Sequence, residues 1–188
     1  MEILNRSILM KAHAVLAAFI LPVAIMFFVT GAFYTWGIKG SYDTTALELH
    51  LEKPIHNDLT ALVALTKKEL KKQNISMPSG KAKIKTIGAS YRLEWTGSDI
   101  DIILEPTSQP LLAKLVIKNT SWYRQFVQLH KAKGGAPFKV YAAVFATALL
   151  LLLITGFIMA WKTPKLRKLT LMSASLGIVV FTIMILLS

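Results

Sequence analysis

The residues of this chain whose types and spacing could do chemistry are two histidines and two Thr-Gly pairs. Thr30-Gly31-x4-Trp36 and Thr155-Gly156-x4-Trp161 repeat one signature, and a histidine precedes each, His13 and His130. The repetition suggests a duplicated cofactor box, and imidazole is a general metal ligand. The Thr-Gly pairs also have a packing reading: glycine lets a neighbouring helix approach, and a threonine hydroxyl bonds back to the preceding turn. Ser173-x3-Gly177 offers another small ridge of that kind. Nothing else in the chain has catalytic spacing. There is no Ser-His-Asp grouping, no glycine-rich phosphate loop and no zinc spacing among four scattered histidines. Cysteine is absent, which excludes disulfides and thiolate metal ligands. No catalytic residue is identified, and enzymatic activity has no support in the residues themselves.

The elements that must position these groups are mostly apolar. Ala14 to Trp36 and Val140 to Trp161 contain no charged residue and no histidine, and each is long enough to cross a hydrocarbon core of roughly 30 Å as a helix. Leu169 to Leu187 is a third uncharged run, interrupted by Thr170, Ser173, Ser175 and Thr182. A mean hydropathy of +0.51 and 54% hydrophobic residues agree with three spans. The first run ends in Phe33, Tyr34 and Trp36 rather than in a small-residue cleavage site, so it reads as an uncleaved anchor. Pro22 should kink it, freeing a carbonyl that a neighbouring helix or Thr30 could serve. Trp36, Trp122 and Trp161 suit the aromatic belts at the membrane interface.

Arg6 and Lys11 precede the first span, and Lys162, Lys165, Arg167 and Lys168 fill the turn between the second and third. The positive-inside rule puts both regions in the cytoplasm. Lys39, Arg124, Lys131, Lys133 and Lys139 flank the same spans at the other end, but they belong to a long translocated segment, where charge counts for less. The expected layout is residues 1–37 as cytoplasmic N-terminus and first span, 38–120 as an extracytoplasmic α+β domain, and 121–137 as an interfacial helix and turn. Residues 138–161 form the second span, 162–168 a basic cytoplasmic turn, and 169–188 the third span, which ends outside. The net charge is +12, and most of the basic residues lie in the outside segment. Nucleic acid is therefore not an expected partner; the bilayer with its anionic headgroups, or an acidic protein, is.

Within 38–120, Asn57 or Asp58 can cap a helix running to about Gln73. Alternation then marks strands around Ala82-Ile84, Tyr91-Leu93-Trp95 and Ile100-Ile102-Leu104, with a last strand over Leu111 to Ile117. Gly88 and Thr96-Gly97-Ser98 mark turns between antiparallel hairpins. Asp99 and Asp101 share one strand face, which reads as solvated. From Ser121 to about Lys131 the apolar residues Trp122, Tyr123, Phe126, Val127 and Leu129 suit an amphipathic helix lying on the bilayer.

Ser121 to Gly156, SWYRQFVQLHKAKGGAPFKVYAAVFATALLLLLITG, together with Lys11 to Gly31, KAHAVLAAFILPVAIMFFVTG, resembles the PepSY-associated transmembrane proteins of bacteria. The resemblance extends over nearly the whole chain. It implies an inner-membrane location and a periplasmic PepSY-type domain between the first two spans. It also implies a role near periplasmic redox or metal handling, beside flavin-carrying electron-transfer proteins or iron-siderophore reductases whose haem is held by histidines. His13 and His130 match the family's helix-start histidines, and Thr30-Gly31 and Thr155-Gly156 its Thr-Gly pairs. The larger reductases have four or more spans, so much of their ligand set has no counterpart in three.

Under this topology His13 and His130 lie at opposite interfaces, roughly 30 Å apart, and one iron cannot bridge them. Haem binding would need a single axial histidine, a pair of His130 with His50 or His56, or symmetric pairing across a homodimer. Three expectations follow: an accessory subunit that docks a periplasmic or membrane partner, a haem-carrying transmembrane electron carrier, or a peptidase-regulating PepSY module. The last rests on the family name alone.

Overall fold

The computed structural model describes residues 6–188, Arg6 by its backbone only. The readings of residues 1–5 and of the Arg6 side chain as an orientation charge lie outside the described residues. Three helices are long and apolar enough to cross a membrane: α1 (Arg6–Thr35), α4 (Ala136–Trp161) and α5 (Pro164–Leu186). A sheet domain lies between α1 and α4 in sequence. The chain divides into two compact units, one of residues up to 24 with 143–188, the other of residues 25–142.

In the first unit, Leu9, Ile20, Val23 and Ala24 of α1 are buried, as are Phe145 and Ala148 of α4. These positions recur at helical spacing and define one inward stripe on each helix. Both helices are apolar all round, so burial selects a face that hydropathy does not mark. Helix α1 continues through Pro22. Helix α5 starts at Pro164, a position where the missing N–H costs nothing. Lys165, Arg167 and Lys168 are therefore helical rather than part of a loop. No residue of α5 is buried; Ser173 and Gly177 are exposed, and a Cβ on Gly177 would meet nothing within 4 Å. The packing partner expected for these two residues does not exist among the described residues.

In the second unit, five antiparallel strands form one sheet in the order β1-β5-β4-β3-β2: β1 (Tyr42–His50), β2 (Ala82–Ile87), β3 (Ser90–Thr96), β4 (Ile100–Pro106) and β5 (Leu112–Thr120). The register aligns Leu47, Leu115, Leu104 and Leu93 across four strands, and Ile117, Ile102 and Trp95 across three. Helix α2 (Leu59–Lys72) covers that face with Leu62 and Leu70, both essentially inaccessible. Its start is fixed by Asp58, whose carboxylate accepts from the Thr60 and Ala61 N–H groups. Gly88 takes a φ of 57° in the β2–β3 turn, a conformation that favours glycine.

The opposite sheet face is polar where it is open. There Glu94 is surrounded by Arg92, Lys83 and Lys85. Burial pushes the Glu94 carboxyl up, but the Arg92 hydrogen bond and charge, with the two lysines, hold it below its usual range. At the other end of that face lies α3 (Trp122–His130), capped by the Ser121 hydroxyl, which accepts from the Arg124 N–H. Val127 and Gln128 are buried, while Trp122 and Phe126 are exposed. Gln128 is thus a polar residue on the inward side of this helix. Strand β1 was not foreseen.

Candidate functional site

The structure builds two His-Thr-Gly sites, and in each the histidine comes from one copy of the repeat and the Thr-Gly from the other. In the first unit His13 of α1 bonds Thr155 of α4, Nδ1 to Oγ1, at 2.9 Å. In the second, His130 of α3 bonds Thr30 of α1 in the same way at 2.8 Å. The partners are exchanged between the two copies.

The protons can be placed from the threonines. A hydroxyl carries one hydrogen. Thr155 Oγ1 lies 2.7 Å from the Leu151 carbonyl and Thr30 Oγ1 2.6 Å from the Met26 carbonyl, so each donates to its own preceding turn. Each hydroxyl must then accept from its histidine. Nδ1 carries the proton, and Nε2 is left as a bare lone pair in the neutral ring. No partner for Nε2 exists among the described residues. This is the tautomer of a metal-ligating imidazole, whose other nitrogen is held by a neighbouring acceptor. Thr30 does not serve the carbonyl freed by Pro22, that of Ala18, which lies more than three turns earlier; it serves its own turn.

The two glycines lie against the rings. A Cβ on Gly31 would stand 3.2 Å from His130 Cε1, and one on Gly156 3.5 Å from His13 Cε1. The first contact is tight and the second ordinary. His130 also stacks near Phe27, ring centroids 4.8 Å apart. Beside it is a cavity of about 390 Å³ lined by Thr30, Gly31, Tyr34, Val127, His130 and Lys131 among others. Lys39 and Lys131 both lie over the Tyr34 ring. The His13 site borders an open cleft lined by Leu152, Gly156, Phe157 and Thr170.

Asp101 was read as solvated, and the structure corrects this: it is 7% exposed. Helix α3 lies over the end of that sheet face, which strand alternation alone does not show. Tyr42 OH donates to Asp101 Oδ2 at 2.8 Å and Gln128 Nε2 donates to the same oxygen at 3.0 Å, while the Gly97 N–H reaches Oδ1 at 3.1 Å. Lys133 Nζ is 3.5 Å away. Arg124 donates to Tyr42 OH and to the Lys39 carbonyl. Burial pushes the Tyr42 phenol above its ordinary value of 10.0; the Arg124 hydrogen bond pulls it down, and Asp101 pushes it up again.

The remaining histidines stay apart. His50 lines a cleft between β1 and α2 with Glu48, Glu52 and Lys68, and neither His50 nor His56 lines the His130 cavity. Among the described residues no three His, Asp or Glu side chains gather as a metal site. Each His-Thr-Gly site thus has one histidine that would hold a haem, and no second histidine lines either site among the described residues. Trp36, Trp122 and Trp161 are all exposed.

Together these features define a membrane protein with transmembrane helices and a sheet domain carried between the first two. The chain belongs to the family of the PepSY-associated TM region, which matches residues 4–163. The match ends immediately before α5. No curated protein and no solved structure matches the chain.

Proposed function

We propose that this chain is an inner-membrane subunit of a flavin- or iron-linked electron-transfer system, in which His13 and His130 would each hold a haem through Nε2. The observation that carries the reading is the twice-built His-Thr pair, with Nδ1 tied to a threonine that can only accept. A bound haem would supply one-electron transfer, which no side chain here supplies. Lys131 on the rim of the His130 cavity suits the carboxylates of such a group. The second axial ligand would come from a second copy of the chain or from a partner subunit. The basic residues between and before the helices favour a cytoplasmic N-terminus and a periplasmic C-terminus, with the sheet as a periplasmic, PepSY-like domain.

A second reading is an accessory subunit without its own haem, which docks a periplasmic or membrane partner, for instance a flavin-carrying one. It is favoured by Trp122, 75% exposed and edge-on to the exposed Phe126 on α3.

The absorption spectrum of the full chain, purified in detergent from haem-supplied cells, separates the two. The haem reading expects a Soret band that falls in His13→Ala and in His130→Ala and disappears in the double variant. A colourless protein overturns it in favour of the docking subunit.

A further inference from the structure

We infer that Asp101, acting through Gln128, is a positioning residue for His130, so that the sheet domain governs one of the two histidine sites. His130 closes α3, two residues beyond Gln128. Gln128 is fully buried and donates to both Asp101 Oδ2 and Tyr42 OH, each at 3.0 Å. Asp101 is thus the hub at which β1, β4 and α3 are tied. Arg124, one turn earlier on α3, adds a second tie to Tyr42 and one to the Lys39 backbone. Lys133, just past the helix, brings the compensating charge.

The network is under-satisfied in a telling way. Gln128 Oε1 and Arg124 Nε are buried and have no hydrogen-bond partner among the described residues. Leaving such atoms unpaired costs free energy, which is tolerated here because the donors on the same two side chains fix the helix that ends in His130. The anchor is charged, and hydrogen bonds to a carboxylate are about twice as strong as neutral ones. His130 itself makes one hydrogen bond, to Thr30, so its aim depends on where α3 is held. The His13 site is lined only by residues of α1, α4 and α5.

The consequence for haem rests on the proposed function; the positioning itself does not, and its test needs no haem. The Nδ1 protons of His13 and His130 are followed by nitrogen-edited NMR on the full chain in detergent, assigned by their loss in His13→Gln and His130→Gln. In Asp101→Asn, exchange of the His130 Nδ1 proton with water is expected to quicken about tenfold, with that of His13 unchanged. Gln128→Met, which keeps the packing volume and removes the tie, is expected to do the same and serves if Asp101→Asn fails to fold. Unchanged exchange at His130 in a folded variant overturns the inference. So does equal quickening at both histidines, which would be general loosening. In the haem-loaded chain, the same variants are expected to shift only the component of the Soret band that His130→Ala removes. A chain without haem defeats the proposed function and leaves the proton measurement standing.

Discussion

The His13 and His130 sites use the same three residue types but are held by different kinds of structure. His13 sits within a long apolar helix and reaches across to Thr155 on another. Nothing but helix packing aims it. His130 ends a helix of nine residues that is too short to hold itself in water, and it is aimed by a sheet domain through a buried carboxylate. The difference shows that one chemical element can be built on two supports, one rigid by length and the other adjustable from a domain outside the helix.

The largest effect should come from the core of the sheet. Ile102 is fully buried at the centre of β4, and Ile102→Ala is expected to cost about 2–5 kcal/mol. Thermal unfolding should fall accordingly, with His130 losing its protected Nδ1 proton and His13 keeping it. If both histidines respond, the two supports are not independent.

The threonines test the crossed pairing. Thr30→Val and Thr155→Val each leave an imidazole N–H without its acceptor, at about 1–3 kcal/mol. Thr155→Val should disturb His13 and Thr30→Val should disturb His130, read from their ring nitrogen shifts. The reverse assignment would overturn the crossed pairing.

The glycines should differ in sign. Gly31→Ala must displace the His130 ring by a few tenths of an ångström, whereas Gly156→Ala meets ordinary contact. Because alanine favours a helix by about 1 kcal/mol over glycine, Gly156→Ala is expected to be neutral or stabilising and Gly31→Ala not. Melting of the two variants side by side decides it.

The smallest effect is in alkali. The Tyr42 phenol is raised above 10.0 in the folded chain, so its proton is held more tightly folded than unfolded. Its contribution to stability is complete below the ordinary value and is lost as pH climbs through the higher folded one. Tyr42→Phe should flatten that alkaline limb of a denaturation-against-pH curve while leaving the neutral region displaced but parallel.

Much of the scaffold is legible in the residues. Three uncharged runs give three membrane-capable helices, Asp58 announces α2, and alternation in β3 and β4 gives their inward faces. Strand β1 escaped because it is an edge strand with Asp43, Thr44 and Thr45 exposed and only Leu49 fully in the core. Its signal was the alternation of Leu47, Leu49 and Leu51, too short to outweigh its polar start. The inward faces of α1 and α4 were not legible from hydropathy, which is uniform around both. They are marked instead by their few polar and small residues, His13, Thr30, Thr155 and Gly156. The pairing itself was not legible because a repeated signature says which residue types recur and not which side chains meet. Asp101 was misread because period-two alternation says which residues share a face and not what covers it.

The back-bonded threonine has one more consequence. Because its hydrogen is committed to its own helix, it can only accept from Nδ1, and it holds the ring by that one edge. Nε2 is then presented at a fixed address, and whatever meets the site must come to that atom rather than turn the ring toward itself.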